Sequence, residues 1–141
     1  MKQAHILLVE DNEGDIILTL DAFEESKIDT EISVVRNGRE ALDFLFQRGE
    51  YTQAQKPDLI LLDINIPFYS GHEVLKQIKA TDHLKTIPVI MLTTSASQTD
   101  INLAYKNHTN SYVKKPLEME EFLSAILKIG EFWIQLSKMP T

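Results

Sequence analysis

Two apolar runs in this chain each end in acid. Ile6-Leu7-Leu8-Val9 stops at Glu10-Asp11, and Leu59-Ile60-Leu61-Leu62 stops at Asp63. Four apolar residues bounded by charge read as a buried strand of a parallel sheet. In open α/β sheets, ligands sit just beyond the carboxyl ends of the strands. If these two strands are neighbours, three carboxylates converge there. Like charges that close either hold a proton or hold a cation. A hard divalent ion bound through oxygen, Mg²⁺, is the natural occupant.

Two further strand ends add to the set. Val89-Ile90-Met91-Leu92 leads into Thr93-Thr94-Ser95, and Tyr112-Val113-Lys114 leads into Lys115-Pro116. Singly, none of these is specific: strand-end acids often cap helices, and a lysine before proline is usually a solvated loop residue. Together, acids, a hydroxyl and a lysine at one sheet edge suit phosphoryl transfer, which is mostly positioning and charge neutralisation. One acid would attack phosphorus and carry the group as an acyl phosphate. Mg²⁺ and Lys115 would clamp phosphoryl oxygens, and a hydroxyl would donate to a third. Residue types alone do not choose the nucleophile. Asp63 is favoured by its central place in a 2-1-3-4-5 strand order.

The elements that must position these groups follow from pattern. Strand-like runs recur at 5–10, 31–35, 58–63, 88–94 and 111–115, with helical spacing between them. Such alternation implies βαβ units and a mostly parallel sheet. Asn37 with Glu40, Ser70 with Glu73, and Ser97 with Asp100 resemble capping boxes at helix starts. The third helix is expected to bury Val74, Leu75 and Ile78, and the first Ile17, Leu20 and Phe23. The polar stretch 47–57 reads as a surface loop.

At 141 residues the chain reads as one domain, 1–141, with a core of about 4–128 and a helical extension of about 129–141. The formal net charge of −7 argues against nucleic acid as a partner. There is no cysteine, which excludes disulfides, thiolate metal sites and cysteine nucleophiles. No signal-peptide pattern opens the chain and no apolar run reaches membrane-spanning length, so a cytoplasmic protein without membrane contact is expected. The four histidines show no metal-ligand spacing and are expected at the surface or in caps.

The ordered set Glu10-Asp11, Asp63-Ile64-Asn65-Ile66-Pro67 with Gly71, Thr93 and Lys115-Pro116 resembles the receiver domains of two-component response regulators, from about residue 4 to about residue 128. The resemblance implies a flavodoxin-like (βα)5 fold. It also implies a non-enzymatic phosphoacceptor that assists its own phosphorylation and dephosphorylation. Asp63 would accept the phosphoryl group from a histidine kinase or a histidine phosphotransfer protein. Asp11 would bind Mg²⁺ directly, Glu10 largely through water, and Asn65 through its backbone carbonyl. Lys115 would pair with the phosphoryl group and Thr93 would hydrogen-bond to it. Tyr112 would be the rotating aromatic of the switch, and Lys115–Pro116 would be a cis peptide.

Two departures from the family stand out. His108-Thr109 replaces a Gly-Ala pair, so Asn107, His108 or Asn110 would have to accept positive φ. Thr94 is larger than many members carry and would slow hydrolysis by restricting water.

The tail carries a second apolar stripe, Ala125, Ile129, Phe132 and Leu136, with Trp133 and Ile134 extending the first. Either it folds back, with Gly130 bending or ending the helix, or it forms a partner or homodimer surface through Ile129, Phe132, Trp133 and Leu136. A clustered apolar patch favours the second. With no room for an output domain, the chain resembles the stand-alone receivers found with phytochrome-type or hybrid histidine kinases. Its output would be protein contacts or onward phosphotransfer. An aspartyl-phosphate phosphatase would want an acid at Asn65. A flavin carrier would not place Glu10-Asp11-Asn12-Glu13 against a phosphate. The intact acids and lysine count against a receiver without chemistry.

Overall fold

The structure, a computed structural model, describes residues 3–140. Met1 and Lys2 of the expected amino terminus, and Thr141 at the end of the extension, lie outside the described residues.

Five strands alternate with five helices: β1 Ala4–Val9, α1 Glu13–Glu25, β2 Thr30–Val35, α2 Gly38–Leu45, β3 Leu59–Leu62, α3 Gly71–Lys79, β4 Val89–Thr93, α4 Gln98–Lys106, β5 Ser111–Lys114 and α5 Met119–Gly130. The strands pair in parallel in the order β2-β1-β3-β4-β5, as expected. Central strands are buried on both faces, which is why β3 and β4 read as unbroken apolar runs. Alternate residues feed two cores. Leu7, Ile60, Leu62 and Met91 pack against α2 and α3 on one face, while Ile6, Leu8, Leu61 and Ile90 pack against α1 and α5 on the other.

The cap residues read from the sequence work as caps. Asn37, Ser70 and Ser97 accept the backbone N–H of Glu40, Glu73 and Asp100, satisfying donors that have no partner inside the helix. Asn12 caps α1 in the same way. On α3, Val74, Leu75 and Ile78 are fully buried, as expected. On α1 the expected face is turned by one residue. Ile16, Ala22 and Phe23 are buried, Leu20 is half-buried, and Ile17 is exposed. The run Ile16-Ile17-Leu18-Thr19-Leu20 is apolar almost all round and leaves the helix phase open; packing chose it.

His108 takes the positive φ, 69°, that the missing glycine required. Among the described residues no peptide bond is cis, so Lys115–Pro116 is trans, correcting that expectation. The Lys115 N–H still reaches the Thr93 carbonyl at 2.7 Å, which carries the ladder one residue past β5 before the chain turns.

The tail folds back in part on its own domain and leaves the rest of its apolar surface exposed. After Gly130 the helix widens into one π-type turn, Glu131–Leu136, closed by Ser137 N–H to Phe132 O at 2.7 Å. Gly130 does not end the helix. It allows α5 to lie close against α1, since a Cβ there would stand 3.1 Å from Ile28 and 3.2 Å from Phe23. Ile129 is buried in the chain's own core, and Trp133 and Ile134 are partly buried against it. Ile129 is therefore not available as an interface residue, and Trp133 only in part. Phe132 and Leu136 remain 50% and 72% exposed.

Candidate functional site

The register brings the charged residues together. Val9 stands opposite both Val35 and Leu62, so β1 and β3 end level. The next residues continue the ladder: Glu10 N–H bonds Val35 O at 3.0 Å and Asp63 N–H bonds Val9 O at 3.1 Å. Glu10 and Asp63 therefore leave the sheet side by side. Carboxylate oxygens of Glu10, Asp11 and Asp63 lie within 4.8 Å of one another. Thr93 ends β4 opposite Lys114, which places Lys115 at the same edge.

Glu10 and Asp63 are each held by backbone on one oxygen. Glu10 Oε2 accepts the N–H groups of Asp11 at 3.1 Å and Asn12 at 3.2 Å. Asp63 Oδ1 accepts the Ile64 N–H at 2.7 Å. The remaining oxygens meet Lys115, whose Nζ donates to Glu10 Oε1, to Asp63 Oδ2 at 3.1 Å and to Asp15 Oδ2 at 2.9 Å. Gly71 keeps the backbone of this corner compact. Its N–H bonds Ile64 O, and a Cβ there would sit 2.1 Å from the Asp63 carbonyl oxygen.

Charge and burial conflict at this edge. Glu10 and Lys115 are buried, and Lys115 serves three carboxylates while Asp11 adds a fourth negative charge nearby. Burial, offset in part by the Lys115 hydrogen bond and charge, pushes Glu10 from 4.5 up to about 7. Burial acts on Lys115 in the other direction, but its bonds to Glu10 and Asp15 and the Asp63 charge outweigh it, so its pKa lies above the usual 10.5. The ammonium is thus firmly charged, and Glu10 keeps its proton to a higher pH than a solvated glutamate does. An all-oxygen set with excess negative charge fits a hard divalent cation, which would relieve that excess.

The other expected site residues lie around this centre. Thr93 is buried, and its hydroxyl accepts the Ser95 N–H at 3.3 Å. Asn65 is exposed on the loop after β3. Tyr112 is half-buried and donates to Ser95 O at 2.9 Å, tying β5 to the loop after β4. Burial raises its pKa above the usual value. Thr94 is exposed on the same loop.

Two features escaped the sequence reading. Asp15 joins Lys115 because one turn of α1 folds it back over the strand end. A spacing of four residues from Asp11, on a helix opening at the site, was the available signal. The second is a bridge from α3 to α4. His72 Nε2 lies 3.0 Å from Asp100 Oδ1, and Asp100 Oδ2 accepts from Ser95 Oγ at 2.6 Å. The Ser95 and His72 hydrogen bonds lower the Asp100 pKa. Of the histidines expected at the surface or in caps, His5 is buried against Ser33 and Phe44, and His72 is mostly buried in this bridge.

Comparison with known proteins fits this geometry. The family model for the response regulator receiver domain matches residues 6–127. The chain belongs to this family, the receivers of two-component systems. It is 40% identical over 135 residues to response regulator Rcp1 of Synechocystis sp. (strain ATCC 27184 / PCC 6803 / Kazusa), covering 96% of this chain and 92% of that protein. The crystal structure of the phosphorylated cyanobacterial phytochrome response regulator RcpA superposes with a TM-score of 0.97 at 41% identity, over 99% of this chain and 100% of that one. The Mn²⁺-bound form of Rcp1 superposes with a TM-score of 0.95 at 39% identity, over 98% and 99%.

Proposed function

We propose that this chain is a stand-alone phosphoacceptor, one receiver domain across 1–141, that takes a phosphoryl group from a phosphohistidine donor onto Asp63. The observation that carries the reading is the Lys115 ammonium bonded to Asp63 at the edge where Glu10, Asp11 and Asp63 gather their oxygens. An Asp63 carboxylate oxygen forms the bond to phosphorus as the phosphorus–nitrogen bond to the donor's imidazole breaks. The product is an acyl phosphate, and the electron pair leaves with the imidazole. Lys115 neutralises charge on the transferring oxygens, and the Thr93 hydroxyl donates to the phosphoryl group once it is in place.

Glu10, Asp11, Asp63 and the Asn65 backbone carbonyl are the residues that would hold Mg²⁺. When bound, such an ion supplies charge neutralisation for the phosphoryl oxygens. Tyr112, already tied to the loop that follows Thr93, is the element whose position the phosphoryl group biases. The acceptor also assists its own dephosphorylation, and Thr94 limits water at the rim of the site.

The donor is a histidine kinase or a histidine phosphotransfer protein, as the similarity to a phytochrome response regulator supports. Output is altered protein contact or onward phosphotransfer, in the cytoplasm, with neither nucleic acid nor membrane as a partner. Phe132 and Leu136, with the exposed part of Trp133, support a homodimer through the tail.

The test is intact-mass measurement after incubation with acetyl phosphate or a kinase and Mg²⁺. The expected result is a gain of one phosphoryl group that Asp63→Asn abolishes. An adduct that persists in Asp63→Asn would overturn the assignment of the acceptor.

A further inference from the structure

Asp15 has no part in the mechanism above, yet it takes one of the three bonds of Lys115. An ammonium has three N–H donors. Lys115 gives them to Glu10, Asp15 and Asp63, and at 4% side-chain exposure it leaves water little access. All three donors are committed before a phosphoryl group arrives. Asp15 is itself firmly placed. Its N–H donates to Asn12 Oδ1 at 2.9 Å, and its carbonyl accepts from the buried Thr19 hydroxyl at 2.7 Å.

We propose that Asp15 is a positioning residue that holds Lys115 in the unphosphorylated protein and releases it to the phosphoryl group on Asp63. The inference rests on the phosphoacceptor reading. A phosphoryl group replaces the single charge of the Asp63 carboxylate with up to two, spread over three strong acceptor oxygens. The donor that Lys115 gives Asp63 passes to the phosphoryl group, and three strong acceptor oxygens carrying more charge draw a second donor away from a neighbouring carboxylate. The three carboxylates differ in what they lose. Side-chain exposure is 3% for Glu10, 10% for Asp63 and 26% for Asp15. Water can solvate Asp15 when the ammonium leaves it, whereas Glu10 is shut off from water and would be left without that partner for its carboxyl oxygen. Asp15 is therefore the cheapest partner to release. A contact made in one state only biases the equilibrium against the other state. Asp15 thus opposes the phosphorylated form.

The experiment titrates beryllofluoride, a non-covalent phosphoryl mimic, by calorimetry at saturating Mg²⁺. The proteins are the full-length parent chain, Asp15→Asn, Asp15→Ala and Glu13→Gln. Glu13 lies on the same turn but pairs with Arg36. Removing the Asp15 carboxylate by either substitution is expected to tighten binding about fivefold, the scale of a partly exposed ion pair. Glu13→Gln is expected to leave it unchanged. Equal or weaker binding in both Asp15 variants would overturn the inference, as would the same tightening in Glu13→Gln, which would mark a general charge effect. If the parent chain itself binds no beryllofluoride, the phosphoacceptor reading fails first and takes this inference with it.

Discussion

At the carboxyl edge of the sheet, Glu10, Asp63 and Lys115 lie in the protein interior, where ionised groups are costly. In the tail after α5, Phe132 and Leu136 stand in water, where apolar groups are costly. The two regions depart from ordinary burial in opposite senses. The edge keeps its charges because backbone N–H groups and one ammonium compensate most of them. What remains is an excess of negative charge that a cation would neutralise. The tail keeps its apolar surface because the π-type turn sends Trp133 and Ile134 inward and leaves Phe132 and Leu136 outside. What remains there is a patch that another apolar surface would cover.

The largest effect should come from the edge. Lys115→Met leaves three acids without their ammonium. Breaking a buried pair in this way costs about 3–5 kcal/mol, measurable by urea unfolding. Added Mg²⁺ should recover more stability in the variant than in the parent chain. An equal gain in both would mean that cation and lysine do not answer the same charge.

The pH dependence of the metal-free protein comes next. Glu10 is raised from 4.5 to about 7 by burial, so the native state holds a proton that the unfolded chain releases. Stability from this group is whole below about pH 4.5 and lost as pH rises through about 7. At about 1.4 kcal/mol per unit the loss is about 3 kcal/mol. The raised Lys115 acts only at alkaline pH, above its usual 10.5, and does not enter this window. Denaturant melts across the window should show the decline, and Glu10→Gln should flatten it. Mg²⁺ binding near pH 7 should release protons, which calorimetry in buffers of different ionisation enthalpy would detect.

The tail should respond more weakly and in two ways. Trp133→Ala, at a half-buried site, should cost about 2 kcal/mol, below the range for a fully buried tryptophan. Phe132→Ser and Leu136→Ser should change monomer stability by less than about 0.5 kcal/mol while weakening any self-association seen by sedimentation. A stability loss equal to that of Trp133→Ala would place Phe132 among the packed residues instead.

Much of this was legible beforehand because the signals are local. β1, β3 and β4 are continuous apolar runs, and the capped starts of α2, α3 and α4 carry their own hydrogen-bonding residues. That Glu10, Asp11, Asp63, Thr93 and Lys115 share one sheet edge was legible because each ends or follows a strand. Where the signal was not local, the reading slipped. Ile17 was expected inside, although a helix with apolar residues on several sides does not declare its phase. His72 and Asp100 sit 28 residues apart on different helices. Ile129 was assigned to an interface because its spacing matches Phe132 and Leu136, but the close approach of α1 and α5 at Gly130 buried it.

The sequence by itself determined the alternation of strands and helices and the residue types at each strand end. Those depend on burial patterns and short-range bonds that a few neighbouring residues specify. Only the tertiary structure decided how the charges are shared. It gave Lys115 three acids, brought Asp15 among them and made Glu10 more reluctant to ionise than a solvated glutamate. It also divided one apolar tail into a packed half and an exposed half. Charge sharing and burial depend on distances between groups far apart in the chain, and those distances exist only once the chain has folded.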